Sequence, residues 1–365
     1  MKPYKLFFLI FILTLLISPL FYMNTADISE QENRTLAKFP KTRKEGIINS
    51  DFSKEFEAWL SDRFGGRDQL IDTRFQTLYK INGRIENEKA FIGDDGWMFK
   101  KSDTVNIPSI KKQRQKIEKE AQKLKNFAAK FKDKNIPIYF VTVPSREVLY
   151  QKYWEKYYKP KQRLDYGEEI TKLLKGSNIR IIYPKKEMLQ KADTENLFRK
   201  SDGHLSFYGA KLLAESFIKR ISSDFNVSTP SYIFDPPKES ASSNIASILK
   251  ISPNPTDTDS DISIKSEDVQ ATIISVKDRS FRARRKTYSQ KAPLKKEIFV
   301  LGVCYGRVTL YPFAEILFEK SNFYRLNYKD EWEKVKKDFS NDFKNGSPEK
   351  VIVIMDGINA LEHIY

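Results

Sequence analysis

Asp202-Gly203-His204 is the stretch where residue type and spacing by themselves suggest chemistry. His204 is one of only 2 histidines in the 365 residues, and a carboxylate sits two positions before it. An amphipathic helix pattern starts directly afterwards, with Phe207, Ala210, Leu213, Ala214, Phe217 and Ile221 recurring at three- and four-residue spacing. The histidine is therefore expected on a turn at a helix start. A carboxylate there can accept a hydrogen bond from one imidazole nitrogen, fixing the tautomer and leaving the other nitrogen for a nucleophile. The bland alternative is an ordinary structural histidine, because Asp-x-His also arises by chance. The second histidine, His363, follows Glu362 near the chain end, and nothing in the sequence positions it for chemistry.

An α/β pattern surrounds this turn. A lysine-rich helix is predicted from Ile110 to about Asn135, leading into the β-rich apolar run Ile136 to Pro144. Tyr166 to Lys175 reads as a helix and Ile179 to Tyr183 as a second strand. After the turn and its helix, Glu297 to Gly306 reads as a strand entering a small-residue turn, followed by a helix over Val308 to Phe318. Phe323 to Leu326 and Val351 to Met355 supply two more strands. Strands alternating with helices argue for a parallel sheet covered on both faces. Ligands of such sheets sit beyond the carboxyl ends of the strands. Cys304, Pro144-Ser145-Arg146 and Asp356 fall there, so Ser145 and Arg146 are expected on a pocket rim as substrate-binding residues.

Upstream lies a hairpin signal. Ala90 to Phe99 carries Asp95-Gly96 between short apolar runs. Before it, Phe52 to Leu78 reads as helical with a break at Gly65-Gly66. The chain start, Met1 to Lys5, is basic, and Leu6 to Met23 is apolar apart from Thr14, Ser18 and Pro19. That run is just long enough to span a bilayer as a helix. Asp27, Glu30 and Glu32 follow it, which sets the start inside and the remainder outside. Residues 1–26 are thus expected to be a membrane anchor, with a cleavable signal peptide as the alternative, and residues 27–365 an exported domain. In a Gram-negative cell that domain is periplasmic and the anchor lies in the inner membrane.

Composition narrows the function classes. The chain is 40% hydrophobic, enough for a sizeable core, and carries a formal net charge of +16. The lysines are spread along the whole length, and no nucleic-acid motif accompanies them, so no nucleic-acid partner is expected. Two distant histidines and one cysteine make no metal ligand set, and there is no Gly-rich nucleotide loop; no cofactor is expected. Residues 228–296 shift in composition: Pro, Ser, Asp and Thr dominate Pro253 to Ser266, and Arg282, Arg284, Arg285 and Lys286 form a basic cluster. This reads as a long, partly mobile surface insertion, or alternatively as a loop facing a polyanion or lipid.

Five motifs in order resemble one family, the membrane-anchored SGNH-hydrolase-like proteins related to the alginate O-acetyltransferases AlgJ and AlgX. Glu32-Asn33-Arg34 with Phe39-Pro40 is similar to that family's leading segment, and Phe56, Asp62, Arg63, Phe64 and Arg67 resemble its first helix. Ile92 to Phe99 is similar to its Gly-Trp hairpin, and Val143-Pro144-Ser145-Arg146 with Tyr150 resembles the segment after its first main strand. Asp202-Gly203-His204-Leu205-Ser206, then Gly209-Ala210, is similar to its Asp-x-His turn. The resemblance implies an SGNH α/β fold and acyl transfer, with His204 as general base and Asp202 as its orienting acid. It also implies a polysaccharide acceptor, and a membrane-bound O-acyltransferase as the acetyl supplier.

The sixth position departs from the pattern. Where the family has the nucleophile turn Gly-Asp-Ser-Phe, this chain has Gly302-Val303-Cys304-Tyr305. A thiolate is a strong nucleophile and a neighbouring imidazole lowers its pKa, so a Cys304–His204–Asp202 triad is chemically reasonable. The other reading makes Cys304 a small buried hydrophobe. Three functions follow: an O-acetyltransferase of surface polysaccharide working through Cys304, a catalytically silent binding or scaffolding member of an acetylation complex, and an SGNH-type esterase.

Overall fold

The computed structural model describes residues 3–29, 34–44, 46–82, 85–240, 243–249, 251, 256–258, 262–277, 284–303, 306–326, 332–355 and 358–364. The chain divides into two compact units: residues 1–92 with 243–255, and residues 93–242 with 256–365. The stretch read as one polar insertion is therefore shared between them.

The first unit contains helices α1 (Pro3–Phe21), α2 (Phe52–Arg63) and α3 (Arg67–Asn82). The break between α2 and α3 is at the two glycines, and Gly66 adopts φ +73°, a left-handed conformation that glycine takes without a Cβ penalty. Phe39 meets the rings of Phe52, Phe56 and Trp59 edge-on. Asp62 and Arg63 are buried and work locally: Asp62 Oδ2 accepts from the amide of Ala37 at 2.7 Å, and Arg63 Nη1 donates to the carbonyl of Asn24 at 3.0 Å. The anchor expected over residues 1–26 is not shown. Among the described residues no helix is both long and apolar enough to cross a membrane. α1 has 19 residues, a length of about 28 Å at 1.5 Å per residue.

The second unit is built on a seven-stranded sheet. Its strands are β1 (Ile138–Val141), β2 (Ile179–Ile182), β3 (Thr272–Lys277), β4 (Arg284–Tyr288), β5 (Leu294–Gly302), β6 (Phe318–Arg325) and β7 (Lys350–Met355). Their order is β3-β4-β6-β5-β7-β1-β2. β6, β5, β7, β1 and β2 are parallel, and β3 and β4 continue the sheet antiparallel at one edge. The central parallel strands β1 and β7, and β5 from Glu297 on, are buried on both faces, which is why they read as nearly continuous apolar runs. Ile138, Phe140, Phe299, Leu301, Ile352 and Ile354 share one cluster with apolar residues of α4 (Ile110–Ala129), α5 (Tyr166–Leu174) and α9 (Trp332–Asn345). Between α5 and α9 come α6 (Lys185–Lys191), α7 (Phe207–Phe225) and α8 (Tyr311–Leu317). Tyr139, which alternates to the opposite face, donates its hydroxyl to Asp224 Oδ2 on α7 at 2.8 Å.

Two differences from the sequence expectation have physical causes. β6 begins at Phe318, five residues before the apolar run that signals it. Its middle carries Ser321 and Asn322, buried polar residues that a hydrophobic scan passes over. They are satisfied internally: Ser321 Oγ donates to the Ala314 carbonyl at 3.0 Å, and Asn322 Nδ2 to Glu297 Oε1 at 2.8 Å. The basic cluster is likewise a strand rather than a loop. β4 pairs along β6 from Arg284↔Tyr324 to Tyr288↔Lys320. Arg285 meets Glu315 at 2.9 Å and Lys286 meets Asp342, so these charges face acids of this chain. Arg282 lies outside the described residues.

Candidate active site

The Asp202–His204 turn forms as its spacing predicts. Asp202 Oδ1 accepts from the His204 amide at 3.0 Å and lies 2.5 Å from His204 Nδ1. One carboxylate oxygen thus shapes the turn and holds the ring. That contact assigns the Nδ1–H tautomer and leaves Nε2 as the acceptor. The Asp202 side chain is 3% exposed and that of His204 36%, so the acid is enclosed while the imidazole keeps an open edge. His363, in contrast, stacks on the Trp332 ring with centroids 4.7 Å apart.

Local sequence explains how the turn joins its helix. Ser206 is the N-cap of α7: its Oγ accepts from the Gly209 amide at 3.3 Å and donates to the Asn196 carbonyl. Its own amide donates to the Leu197 carbonyl at 3.0 Å. Phe198 and Leu205 form an antiparallel bridge, and the Arg199 amide donates to the His204 carbonyl at 3.0 Å. The loop is therefore a closed strap with the two site residues at its tip. Gly209 permits this closure, because a Cβ there would lie 1.9 Å from the Leu197 carbonyl oxygen.

Residues distant in sequence hold the strap. Arg146, expected on a pocket rim, is 3% exposed. Its Nη1 donates to the carbonyl of Arg199 at 3.1 Å and to that of Asp202, and its Nη2 to that of Met98. The guanidinium lies over the Phe99 ring at 5.0 Å, and its Nε is 3.6 Å from Glu147 Oε1. Burial pushes the Glu147 carboxyl upward, and Arg146 partly offsets that. Tyr150 accepts from the Leu197 amide at 2.7 Å through its hydroxyl, while its ring stacks on Trp97. The Gly-Trp hairpin and the Ser145–Tyr150 segment thus act as buttresses of the Asp-x-His strap. Ser145 itself lines a cavity of about 380 Å³ with Glu147, Val148 and Tyr183, to which neither Asp202 nor His204 contributes.

One residue at the site was not flagged from the sequence. Asp257, in the polar stretch, accepts from the amides of Lys200 and Ser201, each at 3.1 Å, and from the Ser201 hydroxyl at 2.5 Å. Its only sequence signal is a carboxylate among small polar residues, which is also what a solvated loop looks like.

Cys304 and Tyr305 lie outside the described residues, as does Asp356. The residues flanking position 304 are described. Gly302 ends β5, and a Cβ on it would lie 2.8 Å from the Met355 carbonyl oxygen. The Val303 amide donates to that same carbonyl at 3.3 Å, and the Gly306 amide to the Val303 carbonyl at 3.1 Å. A wide helical turn follows over Gly306–Leu310 and leads into α8. That turn packs against α7, the helix that starts beside His204.

Residues 90–249 match the family model described as an SGNH hydrolase-like domain, acetyltransferase AlgX. The matched span includes the hairpin, the Ser145–Tyr150 segment and the Asp202–His204 turn, and it ends before Cys304. Among solved structures, the O-acetyltransferase domain of Pseudomonas putida AlgJ is similar at 12% identity and TM-score 0.51, over 75% of this chain and 92% of that one. A DHHW family protein from Eubacterium siraeum is similar at 14% identity and TM-score 0.52, over 76% of this chain and 96% of that one. Bacillus cereus PatB1 with a sulfonyl adduct is similar at 14% identity and TM-score 0.50, over 77% and 97% respectively. At these identities the likeness is one of fold. No curated protein matches the chain.

Proposed function

We propose, on the premise that the chain is an AlgJ/AlgX-like SGNH-domain protein, that it transfers an acyl group, acetyl in the first instance, to hydroxyls of a surface polysaccharide. The observation that carries this reading is the Asp202 carboxylate 2.5 Å from Nδ1 of an imidazole that is 36% exposed. Such a pair is poised to accept a proton at Nε2.

In the proposed sequence the Cys304 thiol gives its proton to His204 Nε2 and its sulfur attacks the donor's carbonyl carbon. The tetrahedral adduct collapses to a thioester, and the leaving group departs with the proton from His204. A sugar hydroxyl then attacks the thioester carbon and passes its proton to His204. The carbon–sulfur bond breaks, the ester forms on the sugar, and the proton returns to the thiolate. Asp202 holds the tautomer throughout and stabilises the imidazolium. With water in place of the sugar the same steps describe an esterase.

The donor side of the proposal is a membrane-bound O-acyltransferase that supplies acetyl across the membrane. Residues 1–26 would keep the chain at the inner membrane with its main domain in the periplasm. Apolar side chains exposed along α1, among them Phe7 at 73% and Phe8 at 63%, support that attachment. Cell fractionation with alkaline carbonate extraction tests it: release of the chain into the soluble fraction would overturn it.

Acyl-enzyme trapping tests the chemistry. Full-length protein in detergent is incubated with p-nitrophenyl acetate and its intact mass measured beside Cys304→Ala and His204→Ala. A single acetyl adduct on Cys304 that requires His204 is expected. A folded protein that forms no adduct would overturn the enzyme reading in favour of a polysaccharide-binding or scaffolding member, which the Val303-Cys304 departure favours.

A further inference from the structure

We propose that Asp257 and Arg146 are a matched pair of positioning residues that fix the strap carrying Asp202 and His204, one through its amides and the other through its carbonyls. This rests on the acyl-transfer reading of the site and assigns a role to the polar stretch that no motif assigns. Five backbone groups between Arg199 and Asp202 carry the argument. The Arg199 carbonyl accepts from Arg146 Nη1 at 3.1 Å, and the Lys200 amide donates to Asp257 Oδ1 at 3.1 Å. The Lys200 carbonyl accepts from the Met98 amide at 2.9 Å, and the Ser201 amide donates to Asp257 Oδ2 at 3.1 Å. The Asp202 carbonyl accepts from Arg146 Nη1 again.

The charges are complementary. The guanidinium takes carbonyl oxygens, the negative ends of the peptide dipoles, and the carboxylate takes amide hydrogens, the positive ends. Both sets are charge-assisted hydrogen bonds, roughly twice as strong as neutral ones. The tip of the strap, from Ser201 to Leu205, has no regular secondary structure beyond the Phe198–Leu205 bridge, so these side chains supply what a ladder would supply elsewhere. Ser201 is fully buried and its hydroxyl also goes to Asp257, at 2.5 Å. A strap free to twist would swing the Asp202 carboxylate off Nδ1, and the imidazole would lose its assigned tautomer.

Asp257 is well suited to the role and to its test. It belongs to the short strand Asp257–Thr258, paired with Glu239–Ser240, and has no part in the apolar core. Replacing it leaves the sheet intact. Asn at 257 keeps one acceptor and presents an NH2 toward an amide hydrogen, so Asp257→Asn breaks the match as Asp257→Ala does.

The experiment has two arms. In the first, full-length protein carrying 15N-labelled histidine in a His363→Gln background gives one imidazole. The ring nitrogen shifts of neutral His204 report its tautomer without any turnover. Nδ1–H is expected in the parent, with a shift toward Nε2–H in Asp257→Ala, in Asp257→Asn and in Arg146→Lys, whose ammonium cannot span two carbonyls. In the second arm, the rate of acyl transfer falls about ten- to a hundredfold in the same variants with KM unchanged. Arg146→Ala is the variant that risks unfolding, so Asp257 carries the decision. A folded Asp257→Ala with the parental tautomer would overturn the assignment. If the parent forms no acyl adduct, the acyl-transfer reading fails, and the tautomer arm still decides this one.

Discussion

The guanidinium of Arg146 donates to the main-chain carbonyl of Asp202 across 56 residues of chain. This single contact ties the segment after β1 to the turn that carries the dyad. It also changes the meaning of Arg146, which its place after a strand suggests as a substrate ligand. A charged group at 3% exposure loses its hydration and keeps its charge only if enough acceptors surround it. Here three carbonyls and Glu147 do so. An arginine so occupied orients other groups, and its planar fork suits divergent carbonyls better than the point charge of lysine.

Gly209 sets how closely α7 approaches the strap. An alanine methyl would fall 1.9 Å from the Leu197 carbonyl oxygen and 2.8 Å from the carbon of that carbonyl, both main-chain atoms with little room to move. Gly209→Ala is therefore expected to cost about 1–3 kcal/mol or more by urea denaturation, despite alanine's better helix propensity. A variant as stable as the parent would show that the helix start is not in close contact with Leu197.

Ser206 caps the same helix and also donates to the Asn196 carbonyl. Its removal leaves the buried Gly209 amide and the Asn196 carbonyl without this partner. Ser206→Ala should cost about 1–2 kcal/mol, while Ser206→Asp keeps the cap acceptor but not the donation to Asn196 and should recover only part of that. Thermal unfolding of the two variants is the measurement. Equal melting temperatures for parent and Ser206→Ala would refute the capping role.

Serine at position 304 restores the residue type of the family's nucleophile turn. Cys304→Ser is expected to retain acetyl-adduct formation from p-nitrophenyl acetate, and Cys304→Ala to abolish it. The Cys304→Ser adduct, an oxygen ester, should survive neutral hydroxylamine better than the parental thioester. Persistence of the adduct in Cys304→Ala would move the acylated residue elsewhere.

Glu315 is expected to give the fold a pH dependence of its own. Burial pushes its carboxyl up to about 7, although Arg285 at 2.9 Å opposes the shift. Between the ordinary carboxylate range and pH 7 the folded protein holds a proton that the unfolded chain has released. The contribution is thus fully present below about pH 4.3 and lost as pH rises through about 7. It is on the order of 3 kcal/mol at most. Urea midpoints at pH 5 and pH 8 should differ in the parent by more than in Glu315→Gln. Identical pH slopes would count against a buried, proton-holding Glu315.

Much of the site was legible because its signals are local. Asp202 and His204 lie two residues apart, and Ser206 sits at the cap position of an amphipathic helix, so the Asp–His contact follows from the chain's own reach. The Asp95-Gly96 turn was likewise legible, since Asp95 adopts φ 52° and Gly96 φ 74°, conformations these residue types tolerate. β4 and β6 up to Asn322 were not legible. Arginine, lysine, serine and asparagine fill them, and they become sheet only because Glu315, Asp342 and Glu297 arrive from other elements to satisfy them.

The sequence by itself determined the strands of the parallel part of the sheet in chain order and the Asp202–His204 pair, because hydrophobic period and two-residue spacing are properties of a short window of chain, while the helices Lys185–Lys191 and Trp332–Asn345 went unread. Only the tertiary structure decided that Arg146 faces inward to carbonyls and that a carboxylate from a polar stretch holds the strap. It also decided that the sheet extends by two antiparallel strands. Those outcomes depend on which backbone groups the burial of other segments leaves unpaired. That demand is set by three-dimensional neighbours, and no pattern within Arg146's or Asp257's own stretch of chain records it.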